Sequence, residues 1–484
     1  MITRLLGLYR ALKAPARASL WFLICGFLHK GVSLLTTPLF TRIMTSQEYG
    51  RFSVYNSWLG IIQIIVSLNL AAGVYTRGLV KNETDQDRFT SSMLGLSSTC
   101  IILWTVIYMI FHDLVNSWLD MSTVLMSAML VEIWATVAYQ FWSNKERVNY
   151  RYGKLVALTI TYTILRPLLA LFSVLSVDTA LQVEARVIST TAVNVVLFTG
   201  LYGIMMRKGK HYFDKEYWIY ALKFNIPLIP HYLSQIVLSQ ADRIMIGRIC
   251  SSNEVAFYSV AYTLSMVLQI LNSSISGTMN PWIYKSLQHD HAERIGKPSY
   301  YILLLIAVCN LGVIVLAPEI LAVLAPGSYQ EAIWVIPPVT VSVYFMFLYN
   351  LFATFEYYYE KTHYVMLASI TGAVLNVVLN AVFIPRFGFV AAGYTTLFCY
   401  VVYSFTHYCF MRKVIKENLG KQRIYDPKLI VGLGVLLVVF SFGAMSLYEY
   451  VVMRYLLLFV GIAVIVIKRK KLLRFLRVIQ QKQI

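Results

Sequence analysis

Fourteen apolar segments, each long enough for a helix to cross a bilayer, follow one another along this chain with only short polar connections between them. They begin near Ser19, Arg51, Thr90, Ser117, Gly153, Gln182, Tyr217, Glu254, Pro298, Tyr329, Thr362, Phe389, Lys428 and Tyr450. About 20 helical residues rising ~1.5 Å each cover a hydrocarbon core of about 30 Å. Hydrophobic residues make up 58% of the chain and charged residues only 13%, against about 25% charged in an average soluble protein. A transmembrane β-barrel would instead alternate polar and apolar residues in short segments. The fold class expected is therefore an all-α polytopic membrane protein of about fourteen transmembrane helices. The short connections favour antiparallel neighbours and leave no room for a soluble domain.

The placement of the basic residues sets the expected orientation. Alternate connections read "TRGLVKNETDQDR", "NKERVNYRYGK", "MMRKGKHYFDK", "YKSLQHDHAERIGK", "EKTHY" and "MRKVIKENLGKQRIYDPK". With both termini, that side carries about 33 of the 42 Lys and Arg, and the opposite loops with their adjoining helix ends carry about six. The positive-inside rule makes the basic side, and both termini, cytoplasmic. The net charge of +19 is thus a topology signal, and no nucleic-acid partner is implied. The amino terminus has a basic lead and a long apolar run without a small-residue cleavage site, so it reads as a retained first helix. The basic tail "KRKKLLRFLRVIQQK" is suited to rest on anionic membrane lipid.

Catalytic and cofactor signals are weak. The six cysteines show no ligand spacing, and His289-Asp290-His291 on a basic loop reads as a solvated patch, so neither a metal nor another cofactor is expected. "GIMMRKGKH" departs from a phosphate-binding loop in its glycine spacing and places His211 where Ser or Thr is required. No nucleophile–base constellation stands out, so the chain does not read as an enzyme. Transport, if that is the task, needs an ion gradient or a partner to drive it.

An internal repeat organises the helices. A shift of 206 residues aligns Arg42-Ile43 with Arg248-Ile249, Ser46 with Ser252 and Glu48 with Glu254. It also aligns Ser53-Val54 with Ser259-Val260 and Gln63-Ile64 with Gln269-Ile270, giving eight identities in 23 ungapped positions. Six helices separate the copies, so both keep one orientation in the bilayer. The pattern describes two parallel six-helix lobes, a common transporter plan. The boundaries expected are an N-terminal lobe at 1–212, a C-terminal lobe at 213–414, helices 13 and 14 at 415–467, and the tail at 468–484.

Three cations remain inside the membrane: Lys30, Arg166 and Arg243. At about 1.5 Å per residue, Lys30 and Arg166 fall near midplane, and Glu132 matches the depth of Arg166 on the preceding antiparallel helix. Such groups cost at least about 2.5–3.5 kcal/mol each at the bilayer centre, and they usually face an interior cavity. Glu132 and Arg166 are placed to form a salt bridge, either to lock two helices or to serve function. Asp242 and Arg243 are adjacent and project about 100° apart on a helix, so they do not simply neutralise each other. Lys30, Arg166 and Arg243 are the substrate-binding candidates for an anion, with Glu132 and Asp242 as ion-coupling or charge-balancing groups. Pro227 and Pro230, in "FNIPLIPHYLS", should kink the helix at the start of the second lobe, as a hinge or as packing.

"FNIPLIPHYLSQIVLSQADRIMIGRICSSNEVAFYSVAYTLS", followed by "NVVLNAVFIPRFGFVAAGYTTLFCYVVYSF", resembles the polysaccharide flippases (O-antigen translocases) of the multidrug/oligosaccharidyl-lipid/polysaccharide exporter superfamily. The resemblance runs from "PLFTRIMTSQEYGRFS" to about Phe410. It implies two six-helix lobes forming a V around a central cavity. It implies a cargo of oligosaccharide on undecaprenyl pyrophosphate, moved from the inner to the outer leaflet of the bacterial inner membrane. It further implies alternating access, coupling to H+ or Na+, and a place in surface polysaccharide synthesis beside a polysaccharide polymerase. The family's basic cavity residues carry over by type and depth alone, onto Lys30, Arg166 and Arg243. Many members have twelve helices, and the extra pair here departs from that pattern. A multidrug/cation antiporter, a lipid II flippase and a non-transporting scaffold are the competing expectations.

Overall fold

The computed structural model describes residues 14–420 and 422–459, and it is helical throughout, with no strand among the described residues. The side chains of Lys30 and of its neighbour His29, and the tail at 468–484, lie outside the described residues. Two compact units divide the chain, Met1–Gly247 and Arg248–Ile484.

The first unit contains α1 (Ala14–Ile43), α2 (Ser46–Ser67), α3 (Val74–Lys81), α4 (Gln86–Ile110), α5 (His112–Leu119) and α6 (Thr123–Val148). It continues with α7 (Tyr152–Leu175), α8 (Gln182–Gly209), α9 (Lys215–Asn225) and α10 (Ile229–Ile249), whose last two residues fall past the unit's boundary. Helix α8 is its centre, packed against α4, α6 and α7, and α1 lies along α7. The second unit contains α11 (Ser252–Gln288), α12 (Gly296–Val315), α13 (Ala317–Leu324) and α14 (Ile336–Tyr358). Next come α15 (Thr362–Phe387), α16 (Val390–Leu419) and α17 (Pro427–Met445). Its centre is α14, packed on α16, α11 and α12.

Ten of the described helices are long and apolar enough to cross a membrane. Three more have the length but carry polar sequences: α2 with Gln47, Glu48 and Arg51, α10 with Gln235, Gln240, Asp242 and Arg243, and α16 with its basic end. The fourteenth apolar segment is helical over 451–459 and then passes beyond the described residues.

The repeated phrase has a local cause. Thr45 Oγ accepts from the Glu48 backbone N–H at 3.2 Å, and Ser251 Oγ accepts from that of Glu254 at 3.4 Å. Both copies are therefore N-caps, with Glu in the first turn where the helix dipole favours an anion. The asparagine-rich phrase on α15 likewise stitches helices together. Asn380 donates to Asn376 at 3.3 Å and accepts from Thr395 on α16, while Asn376 donates to Thr396 at 3.5 Å. Hydrogen bonds of this kind join helices where apolar surface alone gives little drive. The chain leaves α15 through Gly388, whose φ of +69° requires a residue without Cβ strain.

Candidate functional site

A buried polar cluster of the first unit surrounds Glu132. On α8, Thr191 and Asn194 are three residues apart and so share one helix face; both point to this carboxylate. Glu132 Oε1 accepts from Arg166 Nη2 at 2.5 Å and from Asn194 Nδ2 at 3.2 Å. Its Oε2 accepts from the Tyr55 hydroxyl at 3.2 Å and from Thr191 Oγ at 3.5 Å. On α7, Arg166 and Tyr162 are four apart, and Arg166 Nη1 donates to the Tyr162 hydroxyl at 2.8 Å. Four elements therefore converge: α2, α6, α7 and α8.

Four donors, one of them cationic, occupy both oxygens of this acceptor. Burial differs sharply within the pair: the Glu132 side chain is 3% exposed and that of Arg166 is 28% exposed. A guanidinium has five N–H donors, and only two nitrogens are engaged by Glu132 and Tyr162. Glu132 thus anchors the cation, while part of the Arg166 side chain stays accessible. Tyr162, Phe198, Val193 and Ala135 form the apolar wall beside it. This environment suits recognition of a phosphate-like anion.

Asp242 and Arg243 are both buried. Arg243 Nη1 donates to its own helix at Ser239 O (3.1 Å) and to Gln240 Oε1 (2.9 Å), and Ser57 on α2 donates to the same Gln240 oxygen at 3.2 Å. The structure thus brings Glu132 and Arg166 together, while the Arg243 Nη1 bonds belong to a separate set on α10. The helix carrying Pro227 and Pro230 is interrupted where they stand: α9 ends at Asn225, Ile226–Leu228 is a 3-10 turn, and α10 starts at Ile229. Missing N–H groups at two prolines account for the change of helix type.

Two clusters escaped sequence reasoning. Arg186, at the start of α8, lies between the rings of Phe40 and Phe52 at 3.6 Å from each centroid, and its Nη1 reaches Met44 Sδ at 3.4 Å. Beside it, Arg51 bridges Glu48 at 2.9 Å and Glu184 at 3.4 Å. These residues read as ordinary charges at helix ends, because ring faces and a turn distant in sequence supply their partners. The second cluster is Glu356 with His407 in the second unit, both fully buried. A lone acid in "LFATFEYY" and a lone His in "SFTHYCF" were its only signals.

Comparisons with known proteins agree with this picture. The family described as "Polysaccharide biosynthesis protein" matches residues 16–287, more than half of the chain, and the MatE family matches residues 227–382. A probable low-salt glycan biosynthesis flippase, Agl15, from Haloferax volcanii is 22% identical over 81% of this chain and 82% of its own length. The Lsg locus putative protein 1 of Haemophilus influenzae is 22% identical over 74% of this chain and 88% of its own. Among solved structures, the lipid II flippase MurJ in an inward closed conformation superposes with a TM-score of 0.70, covering 94% of this chain and 98% of that one at 13% identity. An inward-facing multidrug resistance MATE family transporter gives 0.57 at 12% identity, over 84% and 96% of the two chains. Match extent and helical membrane fold lead to one assignment: this chain belongs to the polysaccharide biosynthesis protein family.

Proposed function

We propose that this multi-pass membrane transporter is a flippase for oligosaccharide carried on undecaprenyl pyrophosphate. It moves that cargo from the inner to the outer leaflet of a bacterial inner membrane by alternating access driven by an ion gradient. The observation that carries the reading is the asymmetric pair at the centre of the first unit. Arg166 has a partly exposed side chain and guanidinium N–H groups that neither Glu132 nor Tyr162 engages, and the saturated Glu132 carboxylate holds it in place. A diphosphate leaving water needs such a donor, since charge-assisted bonds replace the hydration it gives up. Lys30 and Arg243 serve as further cations along the path, and Asp242 balances charge.

The same observation disfavours a cation antiporter. Cationic cargo needs an open carboxylate, and both oxygens of Glu132 already accept from protein donors, two apiece.

The test is a deletion strain, with lipid extracts analysed for oligosaccharide on undecaprenyl pyrophosphate. Loss of surface glycan with accumulation of that lipid supports flipping and identifies the cargo. Restoration by the wild-type chain but not by Arg166→Gln, at equal membrane abundance, places Arg166 on the path. Unchanged lipid-linked sugar with altered sensitivity to cationic drugs would replace this reading with the antiporter.

A further inference from the structure

Glu356 on α14 and His407 on α16 lie inside the second unit with no solvent exposure, and Nδ1 of His407 is 2.9 and 3.1 Å from the two carboxylate oxygens. Neither group is tolerated there as an isolated charge, so the pair is most stable at net charge zero. Counting hydrogens then locates the exchangeable proton. A neutral pair carries two hydrogens among the carboxyl, Nδ1 and Nε2. With one of them lying between the carboxyl and Nδ1, whichever atom owns it, we assign the other to Nε2, the nitrogen left over. That nitrogen is buried without a hydrogen-bond partner. Its surroundings are aromatic: Tyr349 stacks on the imidazole at 5.5 Å and Tyr403 meets it edge-on at 4.7 Å.

We propose that Glu356 and His407 form the binding site for the proton that drives the transport cycle, with Nε2 of His407 as the loading atom. The proposal rests on the flippase reading above and names its coupling ion. Loading adds one proton from water to Nε2 of a pair at charge −1 and gives the neutral pair; release to water reverses the step, and no other reactant takes part. The neutral pair is stable in the closed packing described here. The charged pair needs water, so proton occupancy biases the second unit between closed and hydrated arrangements. Glu132 is unsuited to this task because a guanidinium and three further donors already saturate it.

Position sets the side of exchange. Glu356 stands in the last turn of α14, beside the connection "EKTHY" on the basic-loop side. Other titratable groups face the pair or flank it. From α15 come His363 in its first turn and Tyr364, over whose ring Lys413 of α16 sits at 5.2 Å. Tyr400 of α16 and Tyr262 of α11 adjoin Tyr349. Lys361 and Glu417 approach to 3.9 Å on the same side. The remaining charged residues of the helices packed on α14 stand near helix ends: Glu254 and Lys285 on α11, Lys297 on α12, Arg386 on α15, Arg412 and Lys416 on α16, and Lys428 on α17.

The experiment is a pH jump on the purified full chain in nanodiscs, read with a pH indicator, alongside glycan export in the deletion strain. Wild type should exchange about one proton per chain more than the double variant Glu356→Gln/His407→Gln, which keeps neither titratable group. In cells, Glu356→Gln and His407→Gln should lose surface glycan and accumulate the lipid-linked precursor, whereas Glu356→Asp, which retains a carboxyl for the imidazole, restores export. Equal proton exchange in wild type and the double variant overturns the site, and so does full export by both neutral single variants. If a neutral variant fails to reach the membrane, Glu356→Asp decides. A shifted pH profile for its export supports the proposal, and a profile identical to wild type overturns it. Failure of the flippase reading looks different: the deletion itself leaves lipid-linked sugar and surface glycan unchanged, and the proton count on purified protein still tests the site.

Discussion

Arg166 Nη2 donates to Glu132 Oε1 at 2.5 Å, and the Glu132 side chain is nearly sealed while that of Arg166 is 28% exposed. Removing either partner leaves an uncompensated charge, and the sealed one has nowhere to find water. Arg166→Gln should therefore cost about 3 kcal/mol, in the range for a broken buried pair, while Glu132→Gln costs less because Arg166 retains access. The double variant should recover most of the loss. Thermal unfolding of the four proteins in detergent provides the cycle; additive losses would contradict a coupled pair.

Arg186 is held by ring faces and by a thioether, so its charge is not its only contribution. Arg186→Lys keeps the cation and loses the planar group stacked between Phe40 and Phe52 at 3.6 Å. We expect Arg186→Lys to lower stability by about 1–2 kcal/mol, the scale of a desolvated cation–π contact. A lysine variant as stable as wild type would show that charge alone matters there.

The helical class and the depth match of Glu132 with Arg166 were readable from the sequence, because both follow from the constant rise of a helix. Arg186 and His407 were not. Apolar periodicity marks which residues enter a bilayer, but it carries no record of which ring or carboxyl on a helix far along the chain will meet them. The repeat at Ser46 and Ser252 was visible as sequence, whereas its cause, two N-caps, needed the hydrogen bonds at Thr45 and Ser251. The interruption at Pro227 was legible from proline chemistry, and its tie to Leu68, a contact 157 residues away in sequence, was not.

Close approach on the basic-loop side depends on a glycine. A Cβ added to Gly95 on α4 would overlap the Tyr212 carbonyl oxygen, a backbone atom that cannot swing aside. Gly95→Val should push the 210–214 connection off α4 and cost about 1–3 kcal/mol or more. The readout is proteolysis of that connection in membranes; unaltered protection would contradict the contact.

Asp214 caps α9 on the same side. Burial alone would raise its carboxyl, but the Tyr217 N–H, the Arg88 guanidinium at 2.8 Å and the Glu216 N–H hold it below the usual carboxylate range. A depressed folded value means stability that is present above the unfolded pKa of about 3.9 and lost as pH falls through the folded one. Asn caps as well as Asp, so Asp214→Asn loses only the charge and should be less stable than wild type at neutral pH by up to about 1 kcal/mol. The gap should shrink on acidification below about pH 4. Unfolding midpoints of both proteins against pH test this, and a gap independent of pH would remove the charge from the explanation.

The interruption in α9–α10 is joined to one at the end of α2. Leu68 and Asn69 follow α2 with φ of 50° and 49°, in the left-handed region that costs energy for side chains with a Cβ. Irregular backbone is tolerated in a membrane protein only where its polar groups find partners. Here two asparagines supply them: Asn225 Nδ2 donates to Leu68 O, and Asn144 Nδ2 donates to Ala71 O at 2.7 Å. Asn225 is also the last residue before the turn containing Pro227, so one side chain ties the two breaks. Asn225→Leu keeps the volume, orphans the Leu68 carbonyl and should cost about 1–3 kcal/mol. It should also release the two breaks from each other, broadening the distance distribution between spin labels at exposed Val80 and Ile219. A distribution as narrow as that of wild type, with stability unchanged, would mean the breaks are set by their own helices and the asparagine merely fills space.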